Sequence, residues 1–77
     1  MTPNQRLREF RKKRKLSRRD LAAQLDCCYD TIRSIELGRR SPGRELATRI
    51  EYLTYWDDRI EVIDWSTGSW RHDSGSS

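Results

Sequence analysis

A mainly α-helical domain of four to five short helices is what this sequence predicts, and three observations carry the prediction. Ser17 stands three residues before Asp20. This is capping-box spacing, in which two side chains satisfy backbone N–H groups that a first helical turn leaves without partners. Apolar residues then recur at helical intervals in two closely spaced runs, Leu21, Ala22 and Leu25, followed by Ile32 and Ile35. Stop signals separate and close the runs. Asp26 lies between them, where a sharp turn needs left-handed backbone that Asp tolerates, and Gly38 ends the second run.

Two short helices joined this closely make a helix-turn-helix layout. The chain before them opens with Thr2-Pro3 and Gln5, a cap, a proline at the first helical position and a second capping box. Leu7 and Phe10 give that first helix an inward stripe, and the rest is basic: Arg6, Arg8, Arg11, Lys12, Lys13, Arg14 and Lys15. The third helix runs from Cys28 or Tyr29 to Leu37, with Ile32 and Ile35 inward. Tyr29, Asp30, Arg33 and Ser34 face outward, and all four can hydrogen-bond to base edges or phosphates. Asp30 has a plainer alternative, pairing with Arg33 one turn on or complementing the helix N-terminus. Gly38 to Gly43 reads as a loop carrying Arg39 and Arg40, and Leu46, Ala47, Ile50 and Leu53 mark a fourth helix.

Beyond Tyr55 two readings compete. Trp56, Ile60 and Ile63 extend a helical stripe into a fifth helix. Arg59 to Trp65 is rich in β-branched residues, however, and Ser66 to Ser69 is a turn across which Trp70 to His72 can pair back, which favours a short β-hairpin. A lone hairpin is marginal in water and needs the helical body or a second subunit. Trp56, Ile60, Val62, Ile63, Trp65 and Trp70 are therefore expected to form a dimerisation surface. The domain plan is residues 1–56 as the DNA-contacting body, 57–72 as the dimerisation or partner-binding segment and 73–77 as a disordered tail.

The net charge of +4 is unevenly divided: residues 1–50 hold 14 basic and 6 acidic side chains, residues 51–77 hold 2 and 6. A basic body suits a polyanion through counterion release, whereas an acidic tail suits a different partner. Cys27 and Cys28 are the only cysteines, and neighbours cannot staple distant parts of a fold, which points to a reducing cytoplasm. No apolar run approaches the roughly 20 residues of a membrane span, and no secretory signal opens the chain. His72 is the only histidine and no second cysteine pair exists, so neither zinc nor another cofactor is expected. An enzyme is not expected either, for want of a nucleophile with a matched base or a phosphate-cradling glycine loop.

Three stretches resemble the Cro/repressor-type, lambda-repressor-like helix-turn-helix domains of phages and bacteria: Leu16 to Ala22 (LSRRDLA), Thr31 to Pro42 (TIRSIELGRRSP) and Glu45 to Ile50 (ELATRI). The resemblance covers about Leu7 to Leu53. It implies that Tyr29, Asp30, Arg33 and Ser34 read bases and that Ser17, Arg18, Arg19, Cys28, Lys15, Arg39 and Arg40 meet phosphates. It further implies a partly buried structural pair between Arg11 and Glu36. Arg18 stands where many family members carry a glutamine that holds a phosphate and braces the third helix; arginine keeps the first role and leaves the second open. Cys27 and Cys28 replace a small apolar residue and a Ser or Thr. Cys27 is expected to pack inward and Cys28 to cap poorly, with a thiol of lowered pKa as the alternative.

The expected function is a DNA-binding regulator, probing an inverted repeat in double-stranded DNA as a homodimer without a small-molecule ligand. The alternative is an antitoxin-like or adaptor module whose C-terminal aromatic segment binds another protein.

Overall fold

The computed structural model describes residues 1–66, which form four α-helices and a terminal 3₁₀ helix: α1 Pro3–Lys13, α2 Arg18–Gln24, α3 Tyr29–Glu36, α4 Arg44–Leu53 and the 3₁₀ helix Val62–Ser66. Both anticipated capping boxes are present. Gln5 N–H donates to Thr2 Oγ1 (3.2 Å) and Thr2 N–H to Gln5 Oε1 (3.0 Å). At α2, Asp20 N–H donates to Ser17 Oγ (3.0 Å) and Ser17 N–H to Asp20 Oδ2 (3.1 Å).

One device stops the first three helices. Lys15, Asp26 and Gly38 adopt left-handed backbone, with φ of 58°, 56° and 77°. After each, the chain donates two backbone hydrogen bonds to the last turn of the helix: Leu16 to Arg11 O and Lys15 to Lys12 O; Cys27 to Ala22 O and Asp26 to Ala23 O; Arg39 to Ser34 O and Gly38 to Ile35 O. These are Schellman closures, which satisfy carbonyls that would otherwise lack donors. Leu16 and Cys27, directly after the first two, lean on the core.

The core draws on every helix: Leu7, Phe10, Leu21, Ala22, Leu25, Ile32, Ile35, Ala47 and Ile50, together with Ile60 and Trp65. Burying each large aliphatic side chain contributes about 1.5–3 kcal/mol against a conformational cost of similar total size. For so small a chain no member is spare.

Ile60 and Trp65 correct two expectations. The described part of the C-terminal segment is a 3₁₀ helix and not a strand. Strand alternation would place Ile60 and Val62 on one face and Ile63 and Trp65 on the other, yet Ile60 and Trp65 are both buried while Ile63 is 64% exposed. Packing overrides the local β preference, as it commonly does. Thr54 organises the change: its buried hydroxyl donates to Ile50 O (2.8 Å) and accepts from Ile60 N–H (3.0 Å), folding the chain back against α4. Asp64 then accepts from Glu61 N–H (2.8 Å), a side-chain bond that starts a helical turn. Ile60 and Trp65, expected at a dimer interface, serve the chain's own core, and Val62 packs against it. Of that expected surface Trp56 (91%) and Ile63 remain exposed, joined by Tyr52 (73%), which the sequence reading did not single out. Trp70 lies outside the described residues.

The acidic segment also has a different partner from the one its charge suggested. Asp57, Asp58 and Asp64 reach back to α1. Arg6 pairs with Asp58 (2.8 Å) and Asp64 (3.3 Å) and donates to Arg59 O (2.8 Å); Asp57 pairs with Lys13 (3.1 Å) and Arg14 (3.5 Å). The hydrogen bond from Arg6 holds the Asp58 carboxyl below its usual range, with burial opposing and the charges of Arg6 and Lys13 adding to the effect. A depressed folded-state pKa contributes stability that is present above the unfolded value and lost as pH falls through the folded one. Thermal stability is therefore expected to be flat from pH 7 to about 5 and to decline below about pH 4. Asp58→Asn should start lower and lose less over the same acid range in melting curves.

Candidate nucleic-acid interface

The eight residues of α3 divide cleanly into an anchored side and an open side. Ile32 and Ile35 are wholly buried and Glu36 nearly so, whereas Tyr29 is 42% exposed, Asp30 and Arg33 are exposed and Ser34 is half-buried. A helix of two turns cannot hold itself in water and takes its order from what grips it. Much of that grip lies at the C-terminal end: Asn4 Nδ2 on α1 donates to Ile35 O (2.7 Å), which also accepts from Gly38 N–H. The N-terminal end starts at Cys28, whose side chain makes no capping bond.

Glu36 is the main fastener. Its side chain is wholly enclosed; Arg11 Nε donates to Oε2 (2.7 Å), while Arg11 Nη2 (3.1 Å) and Arg18 Nε (3.0 Å) share Oε1. One carboxylate on α3 thereby joins α1 and α2, and Arg11 Nη1 also donates to Leu16 O (2.9 Å) in the turn between them. Arg18 thus engages α3 directly, through Glu36, so the bracing role that the sequence left open is filled. The hydrogen bond to Glu36 raises the Arg18 pKa above its ordinary value; burial opposes, and Tyr29 adds in the same direction. Two guanidinium groups against one carboxylate leave the cluster net positive.

That positive charge opens onto a shallow cleft of about 450 Å³ lined by Arg11, Ser17, Arg18, Arg19 and Tyr29. Arg19 lies over the Tyr29 ring, 5.8 Å from its centre, a cation–π distance that links α2 to the first residue of α3. The cleft can accept an anionic oxygen beside the open face of α3, and that face offers donors and acceptors to base edges.

The helix-turn-helix domain family matches residues 5–52, from the first turn of α1 almost to the end of α4. The chain belongs to this family. No curated protein and no solved structure matches the chain. A helix-turn-helix domain of this kind binds double-stranded DNA, and α2 with α3 is its helix pair.

Within this helix-turn-helix domain the cleft gathers Ser17, Arg18 and Arg19 with Tyr29. It does not gather the other residues named for phosphate contact: Lys15 is exposed in the α1–α2 turn, Arg39 and Arg40 follow α3, and Cys28 is exposed at the α3 cap. No ion pair joins Asp30 to Arg33 among the described residues, which leaves Asp30 either base contact or its place in the first turn of α3. Cys27 is half-buried against the core, and burial, then the neighbouring Cys28, pushes its thiol pKa up. Cys27 is thus placed as a packing residue, as its position in the turn led one to expect. Asn4 and Arg49, whose Nη1 reaches Leu25 O (3.4 Å), hold the helix pair, and Thr54 holds the C-terminal segment to α4; the sequence reading missed all three. A polar residue in a first helical turn looks like any solvated one until its partner 31 positions away is known. No helix of the described residues is long and apolar enough to cross a membrane.

Proposed function

We propose that the protein is a sequence-specific transcriptional regulator of the Cro/repressor kind, binding an inverted-repeat operator as a homodimer and repressing by occupying a promoter. It acts by binding and not by catalysis, with no small-molecule ligand, in the cytoplasm of a phage-carrying or other bacterial cell. The observation that carries this reading is the division of α3: one side is fastened by Glu36 to α1 and α2, and the other holds Tyr29, Asp30, Arg33 and Ser34 toward solvent. A helix fixed in this way keeps its register when it enters a major groove, which base reading requires. The arginines of the cleft and of the loop after α3 supply backbone contacts, which position without specifying.

Homodimerisation rests on the exposed Trp56, Tyr52 and Ile63. The same exposure favours the second reading, in which this surface takes a different protein. Selection of bound sequences from random duplex DNA at two salt concentrations, with sedimentation of the free protein, tests both. The expected result is a dimer and a consensus of two inverted half-sites about 10 bp apart. A single half-site bound by a monomer would support the adaptor reading, and a salt slope without any consensus would remove sequence-specific regulation altogether.

A further inference from the structure

The acidic residues that meet α1 lie on the flank of that helix turned away from the reading helix. At about 100° per residue, Arg6 and Lys13 share one side of α1, roughly 140–160° around from Arg11. Arg11 is the α1 residue bound to Glu36 of α3. Arg6 and Lys13 are bound to Asp58, Asp64 and Asp57 instead, and Asp57 also holds Arg14 where α1 ends. On the other side Lys15, Arg19, Arg33, Arg39 and Arg40 form no ion pair among the described residues. Charge is thus sorted by face. Arg6, Lys13 and Arg14 are paired with acid, whereas Lys15, Arg19, Arg33, Arg39 and Arg40 are left for phosphate; Arg8 and Lys12, between the two flanks of α1, form no ion pair among the described residues.

We propose that Asp57 and Asp58 are specificity-determining residues, which cancel a second polyanion-binding flank so that duplex DNA is held only through the face carrying α3. The inference rests on the DNA-binding reading and adds to it. Phosphate contacts carry no sequence information, so a cationic flank remote from α3 would bind any duplex in a pose that reads nothing. Biological discrimination is the ratio of operator binding to binding elsewhere, and such a pose lowers it. Carboxylates tethered to the same chain meet the α1 cations at high effective concentration and also repel an approaching backbone.

The test compares wild type with Asp57→Asn on two probes, the operator obtained by selection and a mixed-sequence duplex lacking it. Asp57→Asn keeps the shape of the side chain and the backbone bond from residue 57 to Thr54 O. It should raise affinity for the mixed duplex about three- to tenfold at low salt and steepen its salt slope by about one to two, as Lys13 and Arg14 each engage a phosphate. Operator affinity should stay within about twofold. Lys13→Gln with Arg14→Gln should leave mixed-duplex affinity almost unchanged in the wild-type background and abolish the gain in the Asp57→Asn background. Glu51→Gln, which changes net charge equally without freeing an α1 cation, should show little of the gain.

The inference is overturned if Asp57→Asn gains nothing, if Glu51→Gln gains as much, or if the Lys13 and Arg14 substitutions already weaken wild type. A wild-type chain that bound neither duplex would remove the DNA-binding reading and this inference with it, a result distinct from the other three. Melting curves identify folded variants, and Asp57→Ser repeats the comparison should Asp57→Asn fail to fold.

Discussion

Glu36→Gln is expected to lower the melting temperature by about 10–20 °C, from a loss of about 2–3 kcal/mol at about 4–8 °C per kcal/mol in a domain of this size. The wild-type carboxylate is wholly enclosed and accepts three hydrogen bonds from two arginines. Glutamine offers one acceptor oxygen and turns an N–H₂ donor toward guanidinium groups that only donate. Breaking a buried pair from one side costs about 3–5 kcal/mol; Arg11 and Arg18 remain 13% and 26% exposed, so water can relieve part of it. Removing the enclosed pair together should be gentler: Arg11→Met with Glu36→Leu is expected to be less destabilising than Glu36→Gln alone, because only Arg18, which water can reach, then lacks its carboxylate. Thermal denaturation of the three proteins measures this. A change under about 2 °C for Glu36→Gln would mean that the three helices are held by apolar packing alone.

Trp65→Ala should cost about 3–5 kcal/mol, the range for deleting a buried aromatic side chain, and urea unfolding should show it as a lower midpoint at unchanged slope. Trp65 is 3% exposed, in a core it shares with all four α-helices. Trp65→Phe separates packing from polarity. The indole Nε1 is buried with no hydrogen-bond partner among the described residues, so losing it removes an unsatisfied donor while giving up some volume. The two effects oppose, and Trp65→Phe is expected within about 1 kcal/mol of wild type. Were Trp65→Ala equally mild, the C-terminal segment would be an appendage and the interface role expected from sequence would return.

The helix pair was legible because local chemistry fixes it: a capping box at Ser17, an Asp able to take left-handed backbone at residue 26 and glycine at 38 leave few other ways to arrange the apolar stripe. Lys15 shows where that legibility stops. It takes the same left-handed backbone at the end of α1, yet lysine carries no signal for it, and only the Schellman bonds and Leu16 on the core impose it. The C-terminal segment misled for a related reason. Its β-branched run states a local preference that Thr54, Ile60 and Trp65 override through contacts invisible to any short window. In the candidate site, the outward face of α3 followed from helical periodicity. The division of the α1 cations into paired and unpaired did not, because Arg6 finds its partner 52 positions away.

Base reading by the open side of α3 is tested by a panel of operator duplexes with single base-pair substitutions, titrated with wild type and Arg33→Ala. Arg33→Ala is expected to lose discrimination at one position in each half-site, by about 1–3 kcal/mol or roughly 5–150-fold, while other positions keep theirs and the salt slope hardly changes. Uniform weakening on every duplex, with the slope reduced by about one, would make Arg33 a phosphate contact and rule out base reading by this residue.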